Sequence, residues 1–285
     1  MIVRQYHLFT RDRRPGTPVL VAKDVFGEEL ALLARSSRLP VCGVSDLQEA
    51  EVPQAEVVDE QGAPIGGGDL FLAAYYYFAE QGRTALKRIR FSTPRGKVEV
   101  QQEVFRPLES AQIWREAGCP TVSEVEVDDL AKVLRLHPSE ILRVQWITWE
   151  LDPATLVVVV KDLAILKSLQ PGPVGEWLDQ RRLDGEFNAR LAVYSREGFS
   201  PMFDGQMRLF DRDGVSRLPE GAGGAGVVVH RWMENPAKSA YTVEVADAGG
   251  VVAHVTSWIE GTHGRISRIS LGGHVRFGSE LHRDE

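Results

Sequence analysis

Gly66-Gly67-Gly68-Asp69-Leu70-Phe71-Leu72-Ala73-Ala74-Tyr75-Tyr76-Tyr77-Phe78-Ala79 is the stretch on which the fold turns. After its glycines, every face of the implied helix is apolar or aromatic. A helix at a protein surface keeps a polar stripe, so this one belongs inside a domain. Three glycines before it leave backbone N–H groups unhindered, and the helix dipole adds partial positive charge, a combination suited to a carboxylate or phosphate. Asp69 falls where a helix cap is expected. The plainer reading stays open, in which the glycines make a tight turn and Asp69 satisfies the first helical N–H groups.

Working outward, residues 3–9 and 18–22 read as strands joined by a turn-rich segment containing Pro15-Gly16. Strong helix formers at residues 28–35 predict a helix ending near Leu39-Pro40. Further strands are expected at 56–58, at 87–91 and at 97–104, the last two split by Thr93-Pro94-Arg95-Gly96, and helices at 109–117 and 125–134. Residues 156–160 and 191–194 read as strands. A second glycine run, Gly221-Ala222-Gly223-Gly224-Ala225-Gly226, then leads into Val227-Val228-Val229-His230-Arg231-Trp232-Met233. Three valines favour a strand there, while the parallel with residues 66–78 favours a helix. Strands follow at 241–245, 251–258 and 265–271, with Gly249-Gly250 as a hairpin turn. The two halves share one plan.

With 285 residues, each half can bury its own core, and 43% hydrophobic and 26% charged residues describe a folded, soluble protein. A net charge of −7 argues against nucleic acid as a partner. No apolar run is long enough to span a membrane and the first residues do not form a signal peptide, so a cytoplasmic location is expected. Cys42 and Cys119 make no disulfide framework, and the seven histidines show no metal-ligand spacing. Neither glycine run forms the dinucleotide turn, which counts against an oxidoreductase.

Tyr6-His7-Leu8-Phe9-Thr10, followed by Gly16-Thr17-Pro18-Val19-Leu20-Val21, resembles the opening strands of PhzF-family proteins. Leu32-Leu33-Ala34-Arg35 with Leu39, then Phe91-Ser92-Thr93-Pro94-Arg95-Gly96, and finally Glu260-Gly261 with Gly264-Arg265-Ile266-Ser267, resemble later elements of that family in the same order. The resemblance implies the α+β fold shared with diaminopimelate epimerase: two similar domains, here residues 1–118 and 119–285, each a curved mixed sheet around a central helix, with the active site where the two helix N-termini point and the last strand able to pack back on the first domain. It also implies a cofactor-independent isomerase, a homodimer, and a small-molecule carboxylate as substrate.

The chain departs from the family at the residues that matter most. Where PhzF-like proteins carry a proton-transferring Glu, this chain has Val41, followed by Cys42. The Gly-His-Pro-Thr of the first helix entry corresponds to Gly67-Gly68-Asp69-Leu70, and the second entry to about residues 217–224. Neither entry holds the cysteine of a two-thiol racemase. Asp69, Glu220 and Cys42 are therefore the candidate acid/base groups, since a carboxylate near apolar surface can exchange protons at neutral pH. Each has a plainer reading: a cap, a solvated loop residue and a small buried hydrophobe. Gly67, Gly68, Gly223 and Gly224 are the candidate anion-binding residues, with His263 and Arg265 secondary. Arginine exceeds lysine 26 to 7, a sign of a GC-rich genome. With the resemblance, that points to natural-product biosynthesis, including the alkyl-proline branch of lincosamide and pyrrolobenzodiazepine antibiotics. The rival expectation is a small-molecule binder that has lost catalysis.

Overall fold

The computed structural model describes all residues except 1, 11–15, 47–51, 66–67, 83–86, 104–106, 109–110, 118, 125–127, 150–153, 171–173, 181–189, 212–213, 216–220, 248–249, 263–264 and 283–285. The chain forms two compact units, Met1–Glu116 with Leu271–Glu285, and Ala117–Ser270. Strands and helices mix in both, so the class is α+β.

In the first unit, β1 (Ile2–Thr10) pairs antiparallel with β2 (Thr17–Lys23), which runs parallel to β3 (Val41–Val44), and β3 pairs antiparallel with β4 (Ala55–Val58). Helix α1 (Gly27–Ser37) links β2 to β3 and ends on Arg38 in the left-handed region. Its buried Leu30, Leu33 and Ala34 pack with Val3, Leu20, Ala22 and Val41. Helix α2 (Leu70–Glu80) packs against β1, β2 and β3, and against β5 (Arg88–Thr93), β6 (Gly96–Gln102) and β7 (Ile113–Glu116). Every residue from Leu70 to Phe78 is buried, as the absence of a polar stripe requires. Phe71 and Phe78 stack on Phe91 at ring-centroid distances of 5.4 and 6.2 Å. At the far end of the helix, Tyr6 Oη donates to Glu80 Oε2 at 2.6 Å, and Arg4 bridges Glu80 and Glu280 at 3.6 and 2.8 Å.

Residues 113–116 form β7, a correction to the helix expected at 109–117. Ile113 and Arg115 are buried on alternate positions of a strand paired with β6, the period of two that a sheet imposes.

The second unit begins with β8 (Thr121–Glu124), α3 (Asp128–Leu134), β9 (Ile141–Thr148) and β10 (Thr155–Val160). It continues through α4 (Leu163–Ser168), α5 (Val174–Gln180), β11 (Arg190–Ser195), β12 (Gln206–Asp211) and β13 (Gly214–Val215). It closes with α6 (Gly221–Glu234), β14 (Ala240–Asp247), β15 (Gly250–Thr262) and the first part of β16 (Arg265–His282). Parallel pairs β10/β11 and β12/β14 among antiparallel neighbours make this sheet mixed too. Helix α6 packs on β10, β11, β14 and β15, while α3, α4 and α5 share a core with the opposite face of β10 through Leu156, Val158 and Val160. The valines at 227–229 are helical, which settles the choice left open by the sequence.

Strand β16 runs past Leu271 to His282, where its last part pairs antiparallel with β1 from Ile2↔His282 to Thr10↔His274. Among the described residues no helix is long and apolar enough to cross a membrane, and no group of three or more metal-ligating side chains gathers.

Candidate active site

The entry to α2 holds a buried ion pair. Asp69 precedes the helix and is 3% exposed, and Arg115 on β7 is 2% exposed. Arg115 donates from Nε at 3.0 Å and from a terminal nitrogen at 2.7 Å, both to Oδ1 of Asp69. Among the described residues no donor reaches Oδ2. Such a pair is retained only when the geometry is good, because taking either charge out of water alone is costly.

Asp69 stands at the cap position without capping. Its backbone is already helical, with φ −68° and ψ −33°, and its side chain makes no cap hydrogen bond. Two donors of the first helical turn are met instead by backbone: Phe71 N–H by the Gly68 carbonyl at 3.1 Å, and Leu72 N–H by the Asp69 carbonyl at 3.0 Å. Gly68 is buried, and a Cβ there would stand 2.6 to 2.7 Å from Nε, Cδ and Cζ of Arg115. The arginine thus occupies the volume that a side chain at 68 would take. Gly67 lies outside the described residues.

Cys42 lies mid-strand in β3, fully buried, its thiol facing the Gly43 carbonyl at 3.8 Å. Burial pushes that thiol well above the usual range, which disfavours the thiolate that proton exchange needs. Val41 beside it belongs to the apolar core.

In the second unit the glycine run sits inside α6, not in a loop before it. A Cβ on Gly223 would meet Leu209 Cδ2 at 2.3 Å, and one on Gly224 would meet Val255 Cγ1 at 2.6 Å. The missing side chains let the helix seat against β12 and β15. Glu220 and His263 lie outside the described residues, and Arg265 is exposed on β16.

Further along α6 lies a polar cluster that sequence reading missed. Buried His230 places Nδ1 2.9 Å from Gln145 Oε1. The Gln145 amide nitrogen donates to Glu124 at 3.0 Å, so its carbonyl faces the imidazole and Nδ1 carries the proton. Nε2 stands 3.3 Å from Glu234 Oε1 and makes no hydrogen bond among the described residues. Glu234 is also paired with Arg196 and Arg231. Burial lowers the His230 pKa to about 4, and Arg143, Arg196 and Arg231 push the same way against the attraction of Glu234. No spacing signal points to this cluster, because Gln145 and His230 are 85 residues apart.

Two mixed-sheet units, each with an enclosed helix, define the epimerase-like class of two-domain folds. Within that class the chain has the fold of PhzF-family proteins. The phenazine biosynthesis protein of that family from Bacillus anthracis matches at TM-score 0.82 with 16% identity, covering 99% of this chain and 98% of that one. The PhzF-family protein of Enterococcus faecalis matches at 0.71 with 13% identity, covering 98% of each. A hydroxyproline epimerase from Agrobacterium vitis, solved with trans-4-hydroxy-L-proline, matches at 0.59 with 12% identity, over 99% of this chain and 90% of that one. No family model and no curated protein matches the sequence.

Proposed function

We propose that this protein is a cofactor-independent isomerase that moves a proton or double bond within a small unsaturated carboxylic or amino acid. The observation that carries the reading is Asp69, a carboxylate buried at the entry of an enclosed helix with one oxygen held by Arg115 and the other met by no donor among the described residues. Such an oxygen can take a proton from the carbon next to a double bond and return it to the far end of the allylic system. The electron pair moves with the double bond, and no redox partner is consumed. The fold supports the same class of chemistry, since the hydroxyproline epimerase structure holds a small cyclic amino acid. Cys42 has no part in it, because burial in β3 holds its thiol protonated.

Alkyl-proline-type unsaturated amino acids from natural-product biosynthesis are the first compounds to try. A cytoplasmic homodimer belongs to the same proposal, and light scattering tests the dimer.

Incubation in deuterated water with a panel of unsaturated amino and carboxylic acids is expected to give a shifted alkene, detected by product NMR. Asp69→Asn should lower turnover by about 10²-fold or more while binding persists. Turnover unchanged in Asp69→Asn would remove Asp69 from the mechanism. Binding without any new product across the panel would favour a catalytically inactive binding protein.

A further inference from the structure

We infer that the Asp69–Arg115 pair closes the α2 entry to ligand anions, so that a substrate meets this helix with its carbon skeleton and not its carboxylate. The inference concerns specificity and rests on the proposed function for what the substrate is, though not for the closure itself. Three observations converge on it. The Phe71 and Leu72 N–H groups, two of the donors a helix entry offers to an anion, are hydrogen-bonded to the Gly68 and Asp69 carbonyls. The cation at the entry already carries a carboxylate of this chain, at 2.7 and 3.0 Å. The space left by the absent side chain of Gly68 is taken by the same guanidinium.

Charge decides the outcome. A second carboxylate brought here would face the Asp69 anion in a site where both members of the pair are at most 3% exposed, and screening by water is weak there. The entry is an anion site whose occupant is built in. Acids with one carboxylate are therefore accepted with that group turned away from α2, and acids with a carboxylate at each end are rejected.

Formate, the smallest carboxylate, is the probe. In the wild-type protein labelled with ¹⁵N-leucine and ¹⁵N-phenylalanine, the Leu70, Phe71 and Leu72 amides should not move on titration with sodium formate beyond the change given by sodium chloride. Asp69→Ala leaves a carboxylate-sized gap facing Arg115, and formate should fill it. Its Tm should rise saturably by about 3 °C or more over chloride of equal ionic strength. The double variant Asp69→Ala/Arg115→Leu should lose that rise. Saturable shifts at the α2 amides of the wild type would overturn the inference, as would an Asp69→Ala protein that folds and ignores formate. If Asp69→Ala does not fold even in formate, the inference fails on that arm and the wild-type titration still decides the closure. Because no arm reads turnover, failure of the isomerase reading leaves these outcomes distinguishable.

Discussion

His230 carries a proton on one ring nitrogen and presents the other, bare, to a carboxylate in a buried site. Its folded pKa of about 4 lies below the ordinary value of about 6.5. The unfolded chain therefore binds more protons between those values, and stability should fall as pH drops from about 6.5 toward 4. Denaturant midpoints from pH 7 to 4.5 will measure this, and His230→Asn should flatten the slope by a difference on the order of 2 kcal/mol over the window. An equal slope in both proteins would show that other groups carry it. Asp69 was legible as a candidate because it adjoins an obvious helix. Arg115 was not, since it lies 46 residues away within a segment whose neighbours favour helix. Only strand pairing reveals that it points at Asp69.

Helix α2 was readable in full because its core side is all of its sides. For α6 the opposite held: glycine and β-branched valine both disfavour helix locally, and the structure accepts them because only glycine permits close seating on the sheet. Gly224→Ala tests that account. Helix propensity alone predicts stabilisation by about 1 kcal/mol. Collision of the new methyl with the stiff Val255 side chain predicts a net loss of about 1 to 3 kcal/mol, measured by chemical denaturation. The four-residue strand β7 is hidden in the sequence for a related reason. Two inward positions are too few to display a period of two, especially when one of them is an arginine.

At the scale of the molecule, the plan of two similar halves was legible from the repeated glycine-to-helix pattern, but the extent of β16 was not. The strand pattern of the sequence ends at Leu271, whereas the strand continues to His282 with Gly272, Gly273 and Gly278 in its path, residues that ordinarily weaken a strand. Deleting residues 271–285 removes one of the two antiparallel partners of β1 and the Glu280 contact of Arg4. Hydrogen exchange read by mass spectrometry should then show β1 and α2 losing protection by at least tenfold, while β10 and β11 keep theirs. Uniform loss across both units would argue for a single cooperative block.

The same strand sets a schedule for biosynthesis. The second unit is continuous in sequence, so all of its residues have emerged by Ser270, but the first unit includes Leu271–Glu285. On the ribosome β1 must wait, with one edge unpaired, for residues 274–282 to be translated. A strand made before the whole second unit is thus completed only after it, and nascent protein is exposed to edge-to-edge association for longer than its finished form suggests.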